Sequence, residues 1–353
     1  MSKIAIINDS HWGVKNGSDI FLDYQSRFFL NTFFPYVKEN KVSHIIHLGD
    51  FFEHRKYINF KVLNRSYHDF IAKLEELGVH MHIVLGNHDV YYKNTNELNS
   101  LKEVLDQYDC ITVYESPQDI EVEGCKILML PWVCPETLEE TKEAIQSSKA
   151  QIAMGHLELA GFDILKGIKS KEHEGGLKNE IFDRFEMVLS GHYHTKSSKG
   201  NIHYLGTQYE LTWSDADDPK YFHVLDTDTR ELDRVRNHET MFHKLIYDDA
   251  KQPEILKSFK NTHVKVVILN KKNLFEFDRW YDRLLATQPF DIKIIESFEE
   301  YVGENVEDEE INTADTPTLL NSYIDASETL LNKSVLKKLM HELYIEAQEL
   351  SDI

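Results

Sequence analysis

Five short motifs in the first part of the chain contain side chains that commonly bind metal ions. In chain order they are NDSH, LGD, GNHD, GH and GHYH, which begin at positions 8, 48, 86, 155 and 191. The candidate ligands are Asp9, His11, Asp50, Asn87, His156, His192 and His194. Imidazole, carboxylate and one amide, without a thiolate, suit Mn²⁺, Fe or Zn²⁺, and so many ligands suit two ions better than one.

Each motif is weak evidence when it is taken alone. Among 18 histidines, a Gly-His pair after a strand is more often an ordinary surface or core histidine, and Gly-Asp is a common turn dipeptide. The ordered series is a stronger signal, because an ordinary structural role gives no reason for ligand types to recur at the same place in successive elements. We therefore interpret the five motifs as parts of one metal site.

Apolar runs beside the motifs predict buried strands. These runs span 3–8, 43–48, 80–85, 126–130, 151–154 and 187–190. Helical patterns alternate with them and span 24–39, 61–77, 96–108 and 136–148. Alternation of strand and helix predicts a layered α/β domain, and the strand ends of such sheets meet at one rim. The candidate ligands are therefore expected in one pocket, with His88 beside them.

A smaller unit is expected after the first domain. Strands at 202–206 and 221–226 close that domain, and strands at 263–270 and 291–298 around a helix at 272–287 predict a cap. The next stretch is rich in Glu and Asp, which is typical of a solvated linker. The predicted division is an α/β domain over 1–240, a small α/β capping domain over 241–298, an acidic linker over 299–315 and a C-terminal helical pair over 316–353.

The composition limits the cellular setting and the partners. No run approaches the roughly 18 apolar residues of a membrane span, and Asp9 and His11 interrupt the first apolar run, so it does not predict a signal peptide. Three cysteines without a CxxC pair favour a reducing compartment. The net charge of −21 argues against a free-standing nucleic-acid binder, unless metal ions and a partner subunit supply positive charge.

The ordered motifs resemble those of the calcineurin-like metallophosphoesterases over about residues 1–230. The GHYH ending, the small cap and the helical tail are similar to the SbcD-type nucleases of double-strand-break repair. The phrases GNHDVYYKN, GHLELAGF and GTQYELTWSDADDP look most like the nuclease subunits of T-even-like phage recombination endonucleases. The resemblance implies a layered β-sandwich flanked by helices, and a Mn²⁺-dependent exonuclease and endonuclease that cuts DNA in repair and recombination.

The family pattern also implies roles for individual residues. The first ion would be held by Asp9, His11, Asp50 and His194, and the second by Asp50, Asn87, His156 and His192, with Asp50 bridging. Two Mn²⁺ ions are expected, with Mg²⁺, Fe or Zn²⁺ as alternatives. Ions roughly 3.5–4 Å apart stabilise both the attacking and the leaving oxygen of a phosphoryl group. His88 would protonate the leaving sugar oxygen, or it would have only a structural role beside the metal ligands.

One position departs from the family pattern. Three residues after Asp50, where SbcD-type nucleases usually carry histidine, this chain has Glu53, and His54 follows it. Glu53 would orient His88 through a hydrogen bond, or it would be a solvent-facing glutamate. The resemblance therefore implies which residues bind the metals, but it leaves open which residue orients the proton donor.

Basic and aromatic residues flank the motifs. The basic residues are Arg55, Lys56, Lys61, Lys93, Lys166, Lys169 and Lys171. They either contact phosphates near the cut or are ordinary surface charges. Trp12, Tyr91 and Tyr92 either stack on an unpaired base or pack their own loops.

The resemblance implies partners in addition to DNA. One is an SbcC-type coiled-coil ABC ATPase, which residues 316–350 would bind through two short amphipathic helices. Another is a second copy of the chain, with the helices at 61–77 and 96–108 as candidate contacts. Binding to a membrane is not expected. The expected location is the cytoplasm, which would be the cytoplasm of the host cell if the protein is phage-encoded.

Three other functions compete with the nuclease. A phosphoprotein phosphatase typically shows GDxVDRG and GNHE, whereas this chain has GDFFEHR and GNHD. A small cyclic-nucleotide-type phosphodiesterase has no obvious use for a helical pair beyond an acidic linker. A scaffold that has lost catalysis has no reason to keep every ligand.

Overall fold

The computed structural model describes residues 2–165, 168–171, 176–256 and 259–296, together with Ile324, Lys333 and Lys337. Residues Met1–Glu296 form one compact unit, and Ser297–Ile353 form a second. The predicted acidic linker and nearly all of the predicted helical pair lie outside the described residues, as does Lys166. None of the described helices has the length and apolar character needed to cross a membrane.

Two six-stranded sheets form the body of the first unit. The first sheet has the order β14-β13-β1-β2-β3-β4, with β1 Lys3–Ile7, β2 His44–His47, β3 His80–Val84, β4 Ile111–Tyr114, β13 Tyr221–Asp226 and β14 Leu232–Arg236. The second has the order β11-β12-β10-β7-β6-β5, with β5 Gln118–Val122, β6 Cys125–Leu130, β7 Ile152–Gly155, β10 Met187–Ser190, β11 Ser197–Lys199 and β12 Ile202–Tyr204. The central strands of each sheet are parallel to one another.

The two sheets pack face to face, and helices cover their outer faces. Along β1, Ile4 and Ile6 belong to the apolar layer between the sheets, whereas Ala5 and Ile7 belong to the layer under the helices. This alternation is the two-residue period of a strand that is buried on both faces. The predicted layered α/β sandwich is confirmed.

The helices agree with the predicted ones in position but differ in length and type. They are Asp19–Phe28, Phe34–Glu39, Phe60–Ser66, Ala72–Leu77, Ser100–Leu105, Leu138–Ser147 and Leu274–Leu285. π-helical turns join the first pair through Phe29–Phe33 and the second through Tyr67–Ile71. The helix predicted over 96–108 begins only at Ser100, because the Asn99 side chain accepts from the N–H of Lys102 and caps it there.

A three-stranded parallel sheet follows the sandwich. Its strands are β15 Phe242–Asp248, β16 His263–Asn270 and β17 Asp291–Glu296. The helix Leu274–Leu285 packs Phe277, Trp280 and Leu284 on one face of this sheet. We call residues 242–296 the cap sheet unit. A short hairpin of β8 Asp163–Leu165 and β9 Ile168–Lys169 lies between β7 and β10 in the chain.

Candidate metal centre

The five motifs follow the C-terminal ends of five strands. NDSH, LGD and GNHD follow β1, β2 and β3 of the first sheet, and GH and GHYH follow β7 and β10 of the second. Within each sheet these strands run parallel, so their ends meet at one edge. The structure thereby brings the seven candidate ligands together where the two sheets meet.

One group of ligands lies around His11. Its Nε2 atom lies 3.1 Å from His194 Nε2, 4.0 Å from Asp9 Oδ1 and 3.7 Å from Asp50 Oδ2. Asp9 and His11 are buried. Burial alone would lower the pKa of His11, but the carboxylates of Glu53, Asp50 and Asp9 raise it to about 10. Three acidic groups thus favour positive charge at this point.

A second group lies around His156. Its Nε2 atom lies 3.3 Å from Asp50 Oδ2 and 3.0 Å from Asn87 Oδ1, and that same amide oxygen lies 2.9 Å from His192 Nδ1. Asp50 is within 4.0 Å of histidines in both groups, which is the position of a bridging ligand. Burial and the neighbouring His156 lower the pKa of His192 well below its usual value.

The hydrogen bonds of His156 show that the second group fits a cation. Its Nδ1 atom lies 2.7 Å from the carbonyl oxygen of Leu48, which can only accept, so Nδ1 carries a proton. In the neutral ring, Nε2 then directs a lone pair toward the acceptor oxygens of Asp50 and Asn87. Converging acceptors repel one another unless a proton or a metal ion lies between them. The donor set therefore suits a divalent ion of the type that binds nitrogen and oxygen.

Backbone strain accompanies these side chains. Asp9, His11, Asp50 and His192 all have positive φ, between 44° and 81°, a region that residues other than glycine rarely adopt. Backbone bonds hold two of these conformations, from Asp9 N to the Gly49 oxygen at 3.0 Å and from His11 N to the Asp50 oxygen at 3.0 Å. Such strain persists where the surrounding structure fixes it, and it is frequent at functional sites.

Comparison with known proteins identifies the family of the chain. The family model of the calcineurin-like phosphoesterases matches residues 2–196, a range that includes all seven candidate ligands. The chain belongs to the calcineurin-like phosphoesterase family. It is therefore a phosphoester hydrolase, and the family assignment together with the ligand groups implies divalent metal ions at this centre.

One curated relative spans nearly the whole chain. It is "Exonuclease subunit 1" of Enterobacteria phage T4, with 31% identity over 350 residues, which cover 98% of this chain and 100% of that protein. Solved structures with a lower likeness include a dimetal phosphatase from Danio rerio, with 11% identity, a TM-score of 0.40 and coverage of 63% and 91% of the two chains. A novel archaeal phosphodiesterase has 14% identity, a TM-score of 0.33 and coverage of 67% and 99%.

His88 and Glu53 lie at the edge of the phosphoesterase centre. His88 Nδ1 lies 2.6 Å from the backbone oxygen of Glu53 and therefore donates to it. The Glu53 carboxylate lies elsewhere, with Oε2 2.7 Å from Nδ1 of His11. The backbone of Glu53 thus orients His88, whereas its side chain faces a candidate metal ligand.

Asp89 was missed in the sequence, although it is the last residue of GNHD. It is fully buried, and its carboxylate accepts from the N–H groups of Asp50, Phe51, Phe52 and Gly86 at 2.8 to 3.3 Å. Burial and the charge of Asp50 raise the pKa of Asp89 to about 7, while these N–H groups favour its carboxylate. Asp89 therefore joins the loops after β2 and β3 of the phosphoesterase fold. The sign of its role in the sequence is that it directly follows the candidate site residues Asn87 and His88.

Two further residues that sequence reasoning missed support the second sheet's ligands. The ring of Trp132 lies 5.3 Å from that of His192 and 5.9 Å from that of His156. Lys220 is buried, pairs with Asp215 at 2.7 Å and donates to the backbone oxygen of His194 at 3.2 Å. Trp132 lies in the phrase PWVCPE, which resembles the phage nuclease subunits, but the tertiary structure is what places both residues beside the ligands.

The flanking residues have mixed placements. Trp12 is buried and stacks on Phe29 with ring centroids 5.5 Å apart, so it packs its loop. Tyr92 is half exposed, and Lys61 pairs with Asp19 at 2.9 Å. Lys56, Lys93, Lys169 and Lys171 are exposed.

Proposed function

We propose that this protein is a DNA nuclease that hydrolyses phosphodiester bonds with two divalent metal ions, as both an exonuclease and an endonuclease. The observation that carries the proposal is the similarity to an exonuclease subunit of phage T4 over 98% of the chain. That similarity continues beyond residue 196, where the family model ends, and so includes the cap sheet unit. A small phosphodiesterase or a phosphoprotein phosphatase would share only the centre.

The proposed ligand sets use the geometry described above. Asp9, His11, Asp50 and His194 hold one ion, and Asp50, Asn87, His156 and His192 hold the other. The ions, Mn²⁺ first among the candidates, would stabilise charge on the phosphoryl oxygens. The chain's contribution is to fix the donors, because backbone bonds and buried contacts hold them before substrate arrives.

His88 is proposed as the group that supplies the proton to the leaving sugar oxygen. Its Nδ1 is committed to the Glu53 carbonyl, so Nε2 is the atom that exchanges the proton. The ring packs edge-on to His11 at 4.9 Å, which places it beside the ligands. Glu53 is then a positioning residue for His11, whose Nε2 it directs toward the other ligands.

We further propose that the enzyme acts within a double-strand-break repair and recombination complex in the host cytoplasm. The three cysteines have free thiols, as a reducing compartment would require. The partner would be an SbcC-type ATPase bound by residues 316–350, beyond a nuclease domain (1–240), a capping domain (241–298) and an acidic linker (299–315). A second copy of the chain would pack on the helices predicted at 61–77 and 96–108, the first of which begins at Phe60, a residue that is 88% exposed.

A nuclease assay tests the central proposal. Wild-type protein with Mn²⁺ is expected to cut labelled duplex and single-stranded DNA, and to act poorly on a phosphopeptide or a cyclic nucleotide. Hydrolysis of the small esters without any cutting of DNA would overturn the nuclease assignment. Removal of the metals with EDTA should abolish every activity, and Mn²⁺ should restore it better than Mg²⁺.

Deletion of the residues after Asp315 tests the partner assignment. The truncated chain is expected to keep its metals and to cut DNA weakly, but to lose co-purification with the ATPase. Undiminished ATPase binding, or outright unfolding, would show that the tail has another role. Phe60→Ser is expected to shift the chain from dimer to monomer in sedimentation, while Phe275→Ser, at another exposed phenylalanine, should not.

A further inference from the structure

The cap sheet unit has one covered face and one open face. Val264, Val266 and Ile268 of β16 face the helix Leu274–Leu285. Because side chains alternate along a strand, Lys265 lies on the opposite face. Ile246, on the same open face, is 58% exposed, so this face is accessible.

Three lysines form a row across the open face. Lys244 of β15 is in register with Lys265 of β16, and Lys265 is in register with Lys293 of β17. Neighbouring strands lie about 4.8 Å apart, so the row spans about 10 Å. Partial burial lowers the pKa of Lys265, and the nearby positive charges of Lys244 and Lys293 lower it further. Three positive charges therefore lie close together in a chain whose net charge is −21.

An aromatic cavity adjoins the lysine row. It has a volume of about 310 Å³ and is lined by Lys15, Phe21, Trp213, Phe242, His263 and Phe290. Lys265 lies over the ring of Trp213, 4.1 Å from its centroid, and so links the row to the cavity. Phe290 is 54% exposed, so part of its ring is accessible from solvent.

The cavity is also connected to the metal centre through the chain. Lys15, which lines it, lies in the turn Val14–Gly17 and has a φ of 53°. This turn begins three residues after His11 and is tied to it by the bond from Val14 N to the His11 oxygen at 3.0 Å. The loop that carries His11 therefore leads directly to a residue that lines the cavity.

Charge favours a polyanion as the occupant. Within the described part of the chain, none of Lys15, Lys244, Lys265 and Lys293 is paired with a carboxylate. Asp291, on the same strand as Lys293, has a carboxylate oxygen 3.9 Å from Nδ1 of His263. Basic grooves with exposed aromatic rings are typical of proteins that bind single-stranded nucleic acid.

We propose that the open face of the cap sheet binds the phosphates of a single DNA strand along Lys244, Lys265 and Lys293, with an unpaired base stacked on Phe290. This inference rests on the proposed nuclease function, because it assigns a strand-holding surface to the same enzyme. It also resolves how so acidic a chain can hold DNA. The phosphate contacts are concentrated on one face of the cap.

The test compares a triple variant with a matched control. The variant K244Q/K265Q/K293Q removes the row, and K41Q/K126Q/K149Q removes three exposed lysines near the opposite ends of the strands. Each full-length protein is assayed in Mn²⁺ for cutting of a labelled single-stranded oligonucleotide over a salt series. For three lost contacts, the slope of log(kcat/KM) against log salt should fall by about 2 in the row variant and stay unchanged in the control.

A small ester separates the two proposals. Hydrolysis of bis(p-nitrophenyl) phosphate should be the same in wild type and row variant, because that substrate is too short to reach the cap. If the wild type cuts the ester but no DNA, the nuclease function itself fails. If the wild type cuts DNA and the row variant keeps the wild-type slope and KM, or loses only binding to the ATPase, the DNA-strand inference is overturned.

Phe290→Ala tests the stacking platform. It should raise KM for the single strand roughly fivefold or more, with kcat and the salt slope unchanged, because stacking on one base is worth about 1–3 kcal/mol. Phe275→Ala, at an exposed phenylalanine on the helix of the cap, is the control. An equal KM for Phe290→Ala and wild type would remove the base from the proposal.

Discussion

Histidines cluster at both ends of the first sheet, and the two clusters differ in their partners. At the C-terminal ends, imidazole nitrogens face carboxylate and amide oxygens of Asp50 and Asn87. At the N-terminal ends, His44 and His82 face each other at 3.2 Å, and His82 also bonds Tyr114 at 2.8 Å. The rings of the second cluster face one another and a tyrosine hydroxyl, whereas the rings of the first cluster converge on acidic and amide oxygens.

The difference shows that histidine number alone does not make a metal site. Among the described residues, the close groups of three ligand atoms all lie at the C-terminal ends, with Asp9, Asp50 or Glu53 in each. At the other end, the carboxylate of Glu123 lies 3.8 Å from Nε2 of His44. His82 faces the other ring nitrogen of His44, Nδ1, so the two groups do not converge on one point. Convergent acidic oxygens are therefore the feature that separates the clusters.

The largest effect should come from Asp50→Asn. A neutral amide bridges two cations poorly, so this variant should bind at most one Mn²⁺ and lose DNA cutting to background. Losses of 10- to 100-fold are common when only an outer partner of a ligand is removed, so loss of the bridge should exceed about 100-fold. Titration calorimetry measures the stoichiometry, and Asp109→Asn at an exposed carboxylate is the control. Two sites of unchanged affinity would show that Asp50 does not bridge.

His88→Ala should have the next largest effect. Removal of a general acid typically costs about 10²- to 10⁴-fold in rate, whereas the metal ligands are untouched. We expect two bound metals and slow cutting, measured on the same preparation. His54→Ala removes an imidazole that stacks on Tyr57 at 4.7 Å, and it should behave like wild type. Loss of metal from His88→Ala would make His88 a ligand.

Glu53→Gln should have a moderate effect and distinguishes two roles for this residue. If the carboxylate positions His11, Mn²⁺ affinity should fall about 10- to 100-fold, and cutting should recover at high Mn²⁺. If it instead acts on His88, metal affinity should stay constant while the acid limb of the pH profile moves. Glu97→Gln, at an exposed glutamate, provides the reference.

Glu53 also shows where prediction from sequence ends. The ligands could be predicted because each follows an apolar strand, and parallel strands bring their ends together. The direction of the Glu53 side chain depends on the positive φ of Asp50 and on which residue comes near from another loop, and neither is written in local sequence. The chain after Asp50 therefore presents its carboxylate to His11 and its carbonyl to His88.

The fold was predictable to a similar degree. Buried strands such as β1 and β10 could be predicted because short apolar runs mark them. The edge strand β5, with the sequence QDIEV, was missed because alternating polar residues dilute its apolar signal. The lysine row was not predictable, because it depends on the register of three strands far apart in the sequence.

The smallest effect should come from His82→Gln in the N-terminal cluster, which should leave metal content and cutting unchanged. Burial, with His80 and His44 nearby, lowers the pKa of His82 to about 3, against 6.5 in an unfolded chain. Between these values the unfolded state binds more protons, so the free energy of unfolding falls as the pH is lowered. Glutamine cannot take up that proton. The free energy of unfolding of the variant should therefore fall less steeply as the pH is lowered, and the difference in slope should correspond to at most one proton. Urea unfolding in EDTA at pH 7 and pH 5 measures this, with the exposed His68→Gln as control. Equal slopes in variant and wild type would mean that His82 does not titrate there, and loss of metal would mean that the two clusters are not distinct.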